Sequence, residues 1–369
     1  MERKNSRIAV LAGDGVGPEV MQEALRVLAV TQELFSFSVE CTSGLIGGAA
    51  YETTGEHFPA VTRELCTSVD AILFGSVGGP ISESELPKWK GCETNSILAL
   101  RKTCGLTANL RPTKVYQELP GSCPLRDEIS QNVDLLIVRE LQGDIYFGEH
   151  SFYSSEGKRA ARDVAEYTED QIATVARVAF EAAISRGTTA KPKVTSVDKA
   201  NVLHTSKLWR EVVREVHRGY KEVVLEDMLV DNCALQLVKA PSQFDVILTS
   251  NLFGDILSDL AAAFPGSLGL TPSASLAPNG MGLYEPSGGS APDIAGKGVA
   301  NPIAQILSLA MMLRHSLGNN EAAAAIEGAV SRALAAGTRT ADIATPNTRA
   351  VSTKAMGDAI INELEGHRR

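Results

Sequence analysis

The chain has 369 residues, long enough for two domains, and its 44% hydrophobic and 21% charged residues are ordinary for a globular protein. A net charge of -9 without a Lys/Arg cluster excludes a non-specific nucleic-acid binder, and no apolar stretch reaches the length of a membrane span. Six cysteines lie scattered without CxxC or metal-ligand spacing, and Met1-Glu2-Arg3-Lys4-Asn5 shows no signal or transit pattern, so a cytoplasmic protein is expected.

In chain order, Arg7 to Ala12 is a short apolar run read as a strand, and Gly13-Asp14-Gly15-Val16-Gly17-Pro18 turns it into a helix with Pro18 at the first helical position. The glycines fall as GxGxGP and not as GxGxxG, so the dinucleotide fingerprint is not met; a tight turn explains them as well as a ligand does. Ala71 to Gly75 is a second strand ending in Gly78-Gly79-Pro80, and residues 81–92 read as irregular, exposed and mobile. Glu93 to Thr103 reads as one helix and Ala108 to Pro112 as an extended segment. Asp134 to Glu140 is a buried strand, Gly143 to Gly148 carries Tyr146, and Thr168 to Arg186 is an amphipathic helix with an acidic first turn. Lys193 to Val197 and Glu222 to Leu225 are strands, the first followed by Lys199 and the second leading towards Asp231. Residues 265–276 are loop-rich, Tyr284 to Gly298 is a long Gly/Pro loop, and three helices close the chain.

The most informative stretch is Phe244 to Leu260, where a buried strand runs directly into a helix carrying Asp255 and Asp259. Residues i and i+4 share a helix face, so the two carboxylates repel by about 0.2–0.5 kcal/mol unless something offsets them. A hard divalent cation is one offset, and a solvated acidic face is the plain alternative. Ligands of open α/β sheets bind beyond strand carboxyl ends, where this pair stands. Arg101, Arg111 and Arg139 lie near the ends of regular elements; they are either surface charges or a set suited to a polyanionic small molecule. Lys199 has the same two readings, a solvated lysine or a group placed for acid–base work.

Several separated motifs agree with a known family. GDGVGPEV (13–20), GSVGGP (75–80), ANLRP (108–112), VRELQGDIYFG (138–148), SVDKANVL (196–203), SNLFGDILSDLAA (250–262), GSLGLTPSAS (266–275) and EPSGGSAPDIAGKGVANPIAQILS (285–308) follow in order. By these the chain resembles, nearly end to end, the metal-dependent β-decarboxylating dehydrogenases of 2-hydroxy acids, the isocitrate/isopropylmalate dehydrogenase family. The resemblance implies an α/β, two-domain architecture that is not a Rossmann fold. Residues 1–106 plus 266–369 would build the first domain and 107–265 the second, with the active site in a cleft and a homodimer sharing its sites.

The resemblance also implies roles. Asp255 and Asp259, with Asp231 from a partner subunit, would bind Mg²⁺ or Mn²⁺. Arg101, Arg111 and Arg139 would hold the carboxylates of a 3-substituted malate, with Ser96, Ile97 and Leu98 walling an alkyl group. Lys199 would act as base and Tyr146 as acid. NAD would contact Gly78, Gly79, Glu93, Glu285, Gly289, Ser290, Ala291, Pro292, Asp293, Ile294 and Asn301, the aspartate at 293 favouring NAD over NADP. The expected reaction is oxidative decarboxylation of 3-isopropylmalate in leucine biosynthesis. Homoisocitrate, benzylmalate, tartrate or D-malate are alternatives, as is a non-catalytic subunit on the same fold, although Tyr146, Lys199 and the aspartates are all present. The sequence departs from the family at Ser96, at residues 81–92, and at Asp144, where a glycine is usual.

Overall fold

A computed structural model of the chain describes residues 6–187, 191–346 and 348–366; the Met1 to Asn5 stretch and the basic tail from His367 lie outside the described residues. The first segment carries β1 (Ser6–Gly13), α1 (Gly17–Phe35), β2 (Val39–Ser43), α2 (Gly47–Thr54), α3 (Ala60–Thr67), β3 (Ala71–Ser76) and α4 (Ala99–Thr103). The middle carries β4 (Ala108–Lys114), α5 (Asp127–Ser130), β5 (Asp134–Glu140), β6 (His150–Ser155), β7 (Lys158–Asp163), α6 (Glu169–Arg186), β8 (Lys193–Asp198), α7 (His204–His217), β9 (Val224–Leu229), α8 (Val230–Lys239), β10 (Val246–Thr249) and α9 (Asn251–Ala261). The last segment adds β11 (Pro272–Leu276), β12 (Gly282–Pro286), α10 (Ile303–His315), α11 (Asn320–Ala335) and α12 (Thr353–Gly366).

The chain divides into two compact units, one of Met1–Leu106, Tyr116–Ser122 and Pro265–Arg369, the other of Thr107–Val115 and Cys123–Phe264. In the first unit the strands lie in the order β2-β1-β3-β12-β11, parallel except for the β11–β12 hairpin. β3 is buried along its whole length, as expected of a parallel strand covered on both faces. All residues of α10 from Ile303 to Leu313 are buried, including Met311 and Met312, so this helix is a core element and not an amphipathic one. The Tyr116–Ser122 excursion is held in this unit by Arg339, which donates to the Glu118 carbonyl, and by Gly266 against Ser122, where a Cβ would sit 2.5 Å from a carbonyl oxygen.

In the second unit the order is β4-β5-β10-β8-β9, with β5, β10, β8 and β9 mutually parallel and β4 antiparallel to β5. Its core gathers Leu135, Ile137, Val197, Phe244, Ile247, Leu257, Ala261 and Phe264. Leu257 and Ala261, one turn apart, pin α9 to this core; burial of the leucine contributes about 1.5–3 kcal/mol. Asp255 and Asp259 therefore point away from the core, because two residues along a helix turn the face by roughly 200°. α6 opens with a capping box, Thr168 and Gln171 bonding reciprocally, and ends on Gly187 in a left-handed conformation.

Candidate active site

Parallel strands send all their carboxyl ends to one edge, and the second unit uses that edge. Arg139 is the penultimate residue of β5 and stands beside Thr249, the last residue of β10, after which α9 begins. Thr249 is also in register with Val197 of β8, and Lys199 follows directly after that strand. β9 ends at Leu229, in register with Asp198, and Asp231 stands in the first turn of α8. Four elements thus deliver Arg139, Asp255, Lys199 and Asp231 to the same side of the sheet.

Asp255 is the hub. Tyr146 Oη donates to Asp255 Oδ2 at 2.7 Å, and Arg139 Nη1 pairs with Asp255 Oδ1. Arg139 is buried and doubly held by Asn251, whose Oδ1 accepts from Nε at 2.9 Å and Nη2 at 2.7 Å; its guanidinium also lies 5.3 Å over the Tyr146 ring. Gly254 makes this approach possible, since a Cβ there would meet the Arg139 side chain at 2.6 Å. Arg111, in mid-strand of β4 and not at its end, bonds Asp259 Oδ1 at 3.0 Å, Ser258 Oγ at 2.7 Å and Asn109 Oδ1 at 2.8 Å, with Asp255 Oδ1 at 3.7 Å. The repulsion between the two aspartates is thus offset within the chain by two guanidiniums.

Burial, then the hydrogen bond to the Asp255 carboxylate, pushes the Tyr146 phenol above its usual range, with Arg139 opposing. The hydroxyl is accordingly kept protonated. Lys199 and Asp231 form a separate ion pair, and the lysine holds that carboxyl below the usual range. Asp231 does not join the other two aspartates: among the described residues no group of three His, Cys, Asp or Glu side chains is gathered to hold a metal. Asp255 and Asp259 alone still suit a hard cation, since Mg²⁺ is commonly held by one or two carboxylates with the rest of its ligands from substrate and water.

In the first unit Arg101 Nη2 pairs with Glu285 Oε1 at 3.0 Å, and Arg101 Nε is buried without a partner among the described residues. Glu93 is exposed, Ile97 buried and Leu98 half-buried. The expected single helix over 93–103 contains a π-helical turn at Thr94–Leu98 before α4. Ser96 is fully buried there, its hydroxyl turned back onto the Cys92 carbonyl, the kind of local bond that loosens a helix. Residues 81–92, expected to be irregular, open with a short 3₁₀ helix at Ile81–Glu83 and continue mainly as turns, with Trp89 packed on Gly79 and Gly48 and Lys88 at 4.5 Å over its ring.

A cavity of about 450 Å³ is lined by Gly289, Ala291, Ile294 and Asn301 among others, and a smaller one of about 330 Å³ by Gly78, Gly79 and Pro292. Ser290 is buried and its carbonyl accepts from Val16 N at 2.8 Å, which ties the 284–298 loop to the glycine turn ahead of α1. Asp293 stands exposed.

The family model described as isocitrate/isopropylmalate dehydrogenase matches residues 7–360. The chain belongs to that family. It is thus an oxidoreductase, and its expected cofactors are of the family's general kind, a metal ion and a nicotinamide dinucleotide. A 3-isopropylmalate dehydrogenase of Mannheimia succiniciproducens is 53% identical over 97% of this chain and 99% of its own length. That of Escherichia coli K12 is 53% identical over 97% of both chains. Among solved structures, an isocitrate dehydrogenase from Methylococcus capsulatus superposes with a TM-score of 0.85 at 34% identity, covering 97% of this chain and 99% of that one. A β-decarboxylating dehydrogenase from Thermococcus kodakarensis gives 0.79 at 37% identity over 98% and 96%. The architecture is the non-Rossmann α/β fold of the isocitrate/isopropylmalate dehydrogenases.

Two residues at these sites escaped the reading of the sequence. Asn251 lies inside the SNLFGD stretch, yet its hold on Arg139 joins residues 112 apart, for which a local pattern gives no signal. Gln305 sits on α10, lines the larger cavity, and is 1% exposed with neither amide atom partnered among the described residues. An amide in the first turn of a mostly apolar helix was its trace in the sequence.

Proposed function

We propose that this chain is an NAD-dependent 3-isopropylmalate dehydrogenase of leucine biosynthesis, converting (2R,3S)-3-isopropylmalate to 4-methyl-2-oxopentanoate and CO₂. The observation that carries the reading is the Tyr146 hydroxyl on the Asp255 carboxylate, beside two arginines, in a chain about half identical to enzymes of that name along nearly their whole length. Arg101, Arg111 and Arg139 bind and orient the two carboxylates; guanidinium suits them because it matches a carboxylate in bidentate fashion. Asp255 and Asp259, with Asp231 of the partner subunit, would hold Mg²⁺ or Mn²⁺, which would supply Lewis acidity for the oxidation and decarboxylation. Lys199, paired with Asp231 and so reaching the site from the same partner subunit, would take the hydroxyl proton, and NAD⁺ would supply the hydride acceptor. After CO₂ departs, Tyr146 delivers a proton to C3. Ile97 and Leu98 face the isopropyl group.

A homodimer accounts for features that one chain leaves open. The β6–β7 hairpin is a separate two-stranded sheet with Phe152 93% exposed, and such hairpins are marginal on their own. Ile256 and Leu235, on α9 and α8, are exposed apolar residues beside the aspartate-bearing faces. Gel filtration is expected to give twice the chain mass, with activity lost on dissociation; a fully active monomer would remove the shared site.

The defining experiment is NADH formation with Mg²⁺ over 3-isopropylmalate, D-malate, tartrate, isocitrate, homoisocitrate and 3-benzylmalate. Preference for 3-isopropylmalate is expected, and preference for another malate would replace the substrate while keeping the chemistry. The larger cavity takes the adenosine end of NAD in this reading, and an adenine edge offers the donor and acceptor that Gln305 lacks. Gln305→Leu should raise KM for NAD about tenfold with kcat little changed, while removing an unsatisfied buried amide should raise Tm in the absence of ligand. An unchanged KM for NAD would take Gln305 out of the cofactor site.

A further inference from the structure

The residue beside the Tyr146 turn is unusual in two respects. Asp144 adopts φ +72°, a left-handed conformation that side-chain-bearing residues seldom take, and it is only 7% exposed. A buried carboxylate in a strained backbone persists where its bonds over-determine it. Those bonds run in two directions. Within its own turn, Asp144 Oδ1 accepts from Ile145 N at 2.9 Å and the Asp144 carbonyl accepts from Phe147 N at 3.3 Å, so Tyr146 sits inside a turn that Asp144 closes. Outside it, Asp144 Oδ2 accepts from Leu252 N, in the first turn of α9, at 3.0 Å, and from Tyr167 Oη at 3.5 Å.

The start of α9 depends on these outside partners. Ser250 at its N-cap makes no side-chain cap bond; Asn251 N donates to Tyr167 Oη at 2.9 Å and Leu252 N to Asp144. The first N–H groups of a helix need acceptors, and an anion there is favoured by the helix dipole. Asn251, which this clamp orients, is also the residue that grips Arg139, with its amide nitrogen donating to the Gly143 carbonyl at 3.1 Å.

We infer that Asp144 is a positioning residue: its carboxylate borrows the N-terminus of α9 as a partner and so locks the Tyr146 turn at a fixed distance from Asp255. The inference rests on the reading of Tyr146 as the proton donor. Its physical content is that two elements carrying the two ends of one hydrogen bond are joined by a side chain that touches neither end.

Two variants separate the backbone from the carboxylate. Asp144→Gly relieves the left-handed strain but removes the clamp, whereas Asp144→Asn tolerates the conformation and keeps one of the two acceptor oxygens, which can serve Leu252 N across the clamp at the expense of the bond from Ile145 N. With 3-isopropylmalate, NAD⁺ and Mg²⁺, Asp144→Gly is expected to lose about tenfold in kcat with both KM values within about twofold, because small misplacements of reacting groups are costly. Asp144→Asn should restore kcat to within about threefold of the unaltered enzyme, consistent with retention of the acceptor. Amide exchange of peptides spanning 144–148 and 251–255 reads the clamp without turnover: faster exchange in the glycine variant and near-normal exchange in the asparagine variant are expected. Full kcat in Asp144→Gly, a loss that only tracks the folded fraction, or unchanged exchange at both peptides would each overturn the inference. An unaltered enzyme that oxidises no malate would instead overturn the assigned reaction, and exchange alone would then decide the clamp.

Discussion

Asp255→Asn is expected to abolish turnover, with kcat/KM down by at least about 10³, equivalent to about 4 kcal/mol of transition-state stabilisation. The position receives Tyr146 on one oxygen and Arg139 on the other, with Arg111 within 3.7 Å. An amide of the same shape keeps one acceptor but loses the charge on which a hard cation and both arginines depend. Folding should be little affected, because Arg139 keeps both bonds to Asn251, and Arg111 keeps Ser258, Asn109 and Asp259. The measurement is NADH formation with Mg²⁺ or Mn²⁺, paired with the shift in Tm on adding metal. The unaltered enzyme should gain stability from the ion and lose activity to EDTA, and the variant should show neither response. Undiminished activity after chelation would dispose of the metal role for Asp255.

Tyr146→Phe should lower kcat by about 10² or more while KM for the malate moves only a few-fold, the size expected when a positioned acid is removed. The ring remains, so the 5.3 Å stacking of Arg139 is kept and only the hydroxyl is lost. The direction of the phenol's shift matters here. Burial, then the hydrogen bond to the Asp255 carboxylate, push it above its usual range, so the hydroxyl stays protonated at neutral pH. A solvent isotope effect on the decarboxylation half of the reaction should be present in the unaltered enzyme and altered in the variant. An unchanged kcat together with an unchanged isotope effect would point to another donor.

Much of the fold could be read from residues because it rests on local patterns. β3, β5 and β10 are apolar runs, α6 is amphipathic with an acidic first turn, and α9 carries its aspartates opposite Leu257 and Ala261. The β6–β7 hairpin was not legible: nearly all of its residues are exposed on both faces, so no alternation marks it. β11 and β12 were hidden by prolines, glycines and serines, since their pairing is a tertiary fact. The π-helical turn depends on where the Ser96 hydroxyl points, which helical periodicity does not encode. At the second unit's site the charged residues were legible by type, but their partners were not. The pair Asp255 and Asp259 suggested a cation as the offset to their repulsion; within the chain Arg139 and Arg111 already provide one. The supports supplied by Asn251 and Tyr167 join residues 112 and 84 apart in sequence, beyond the reach of any motif.

The first unit is assembled from both ends of the chain, and that has a consequence for synthesis. β3 lies between β1 and β12, and β12 leaves the ribosome roughly 200 residues later, about 10–40 s at ordinary elongation rates. Through that interval Ile72, Leu73 and Phe74, fully covered in the finished protein, have one neighbouring strand and no α10 to shield them. The second unit is nearly contiguous in sequence and completes itself in the same interval. Until β12 arrives, the nascent chain is thus a folded middle trailing an adhesive earlier segment, and that segment is the part that needs shielding.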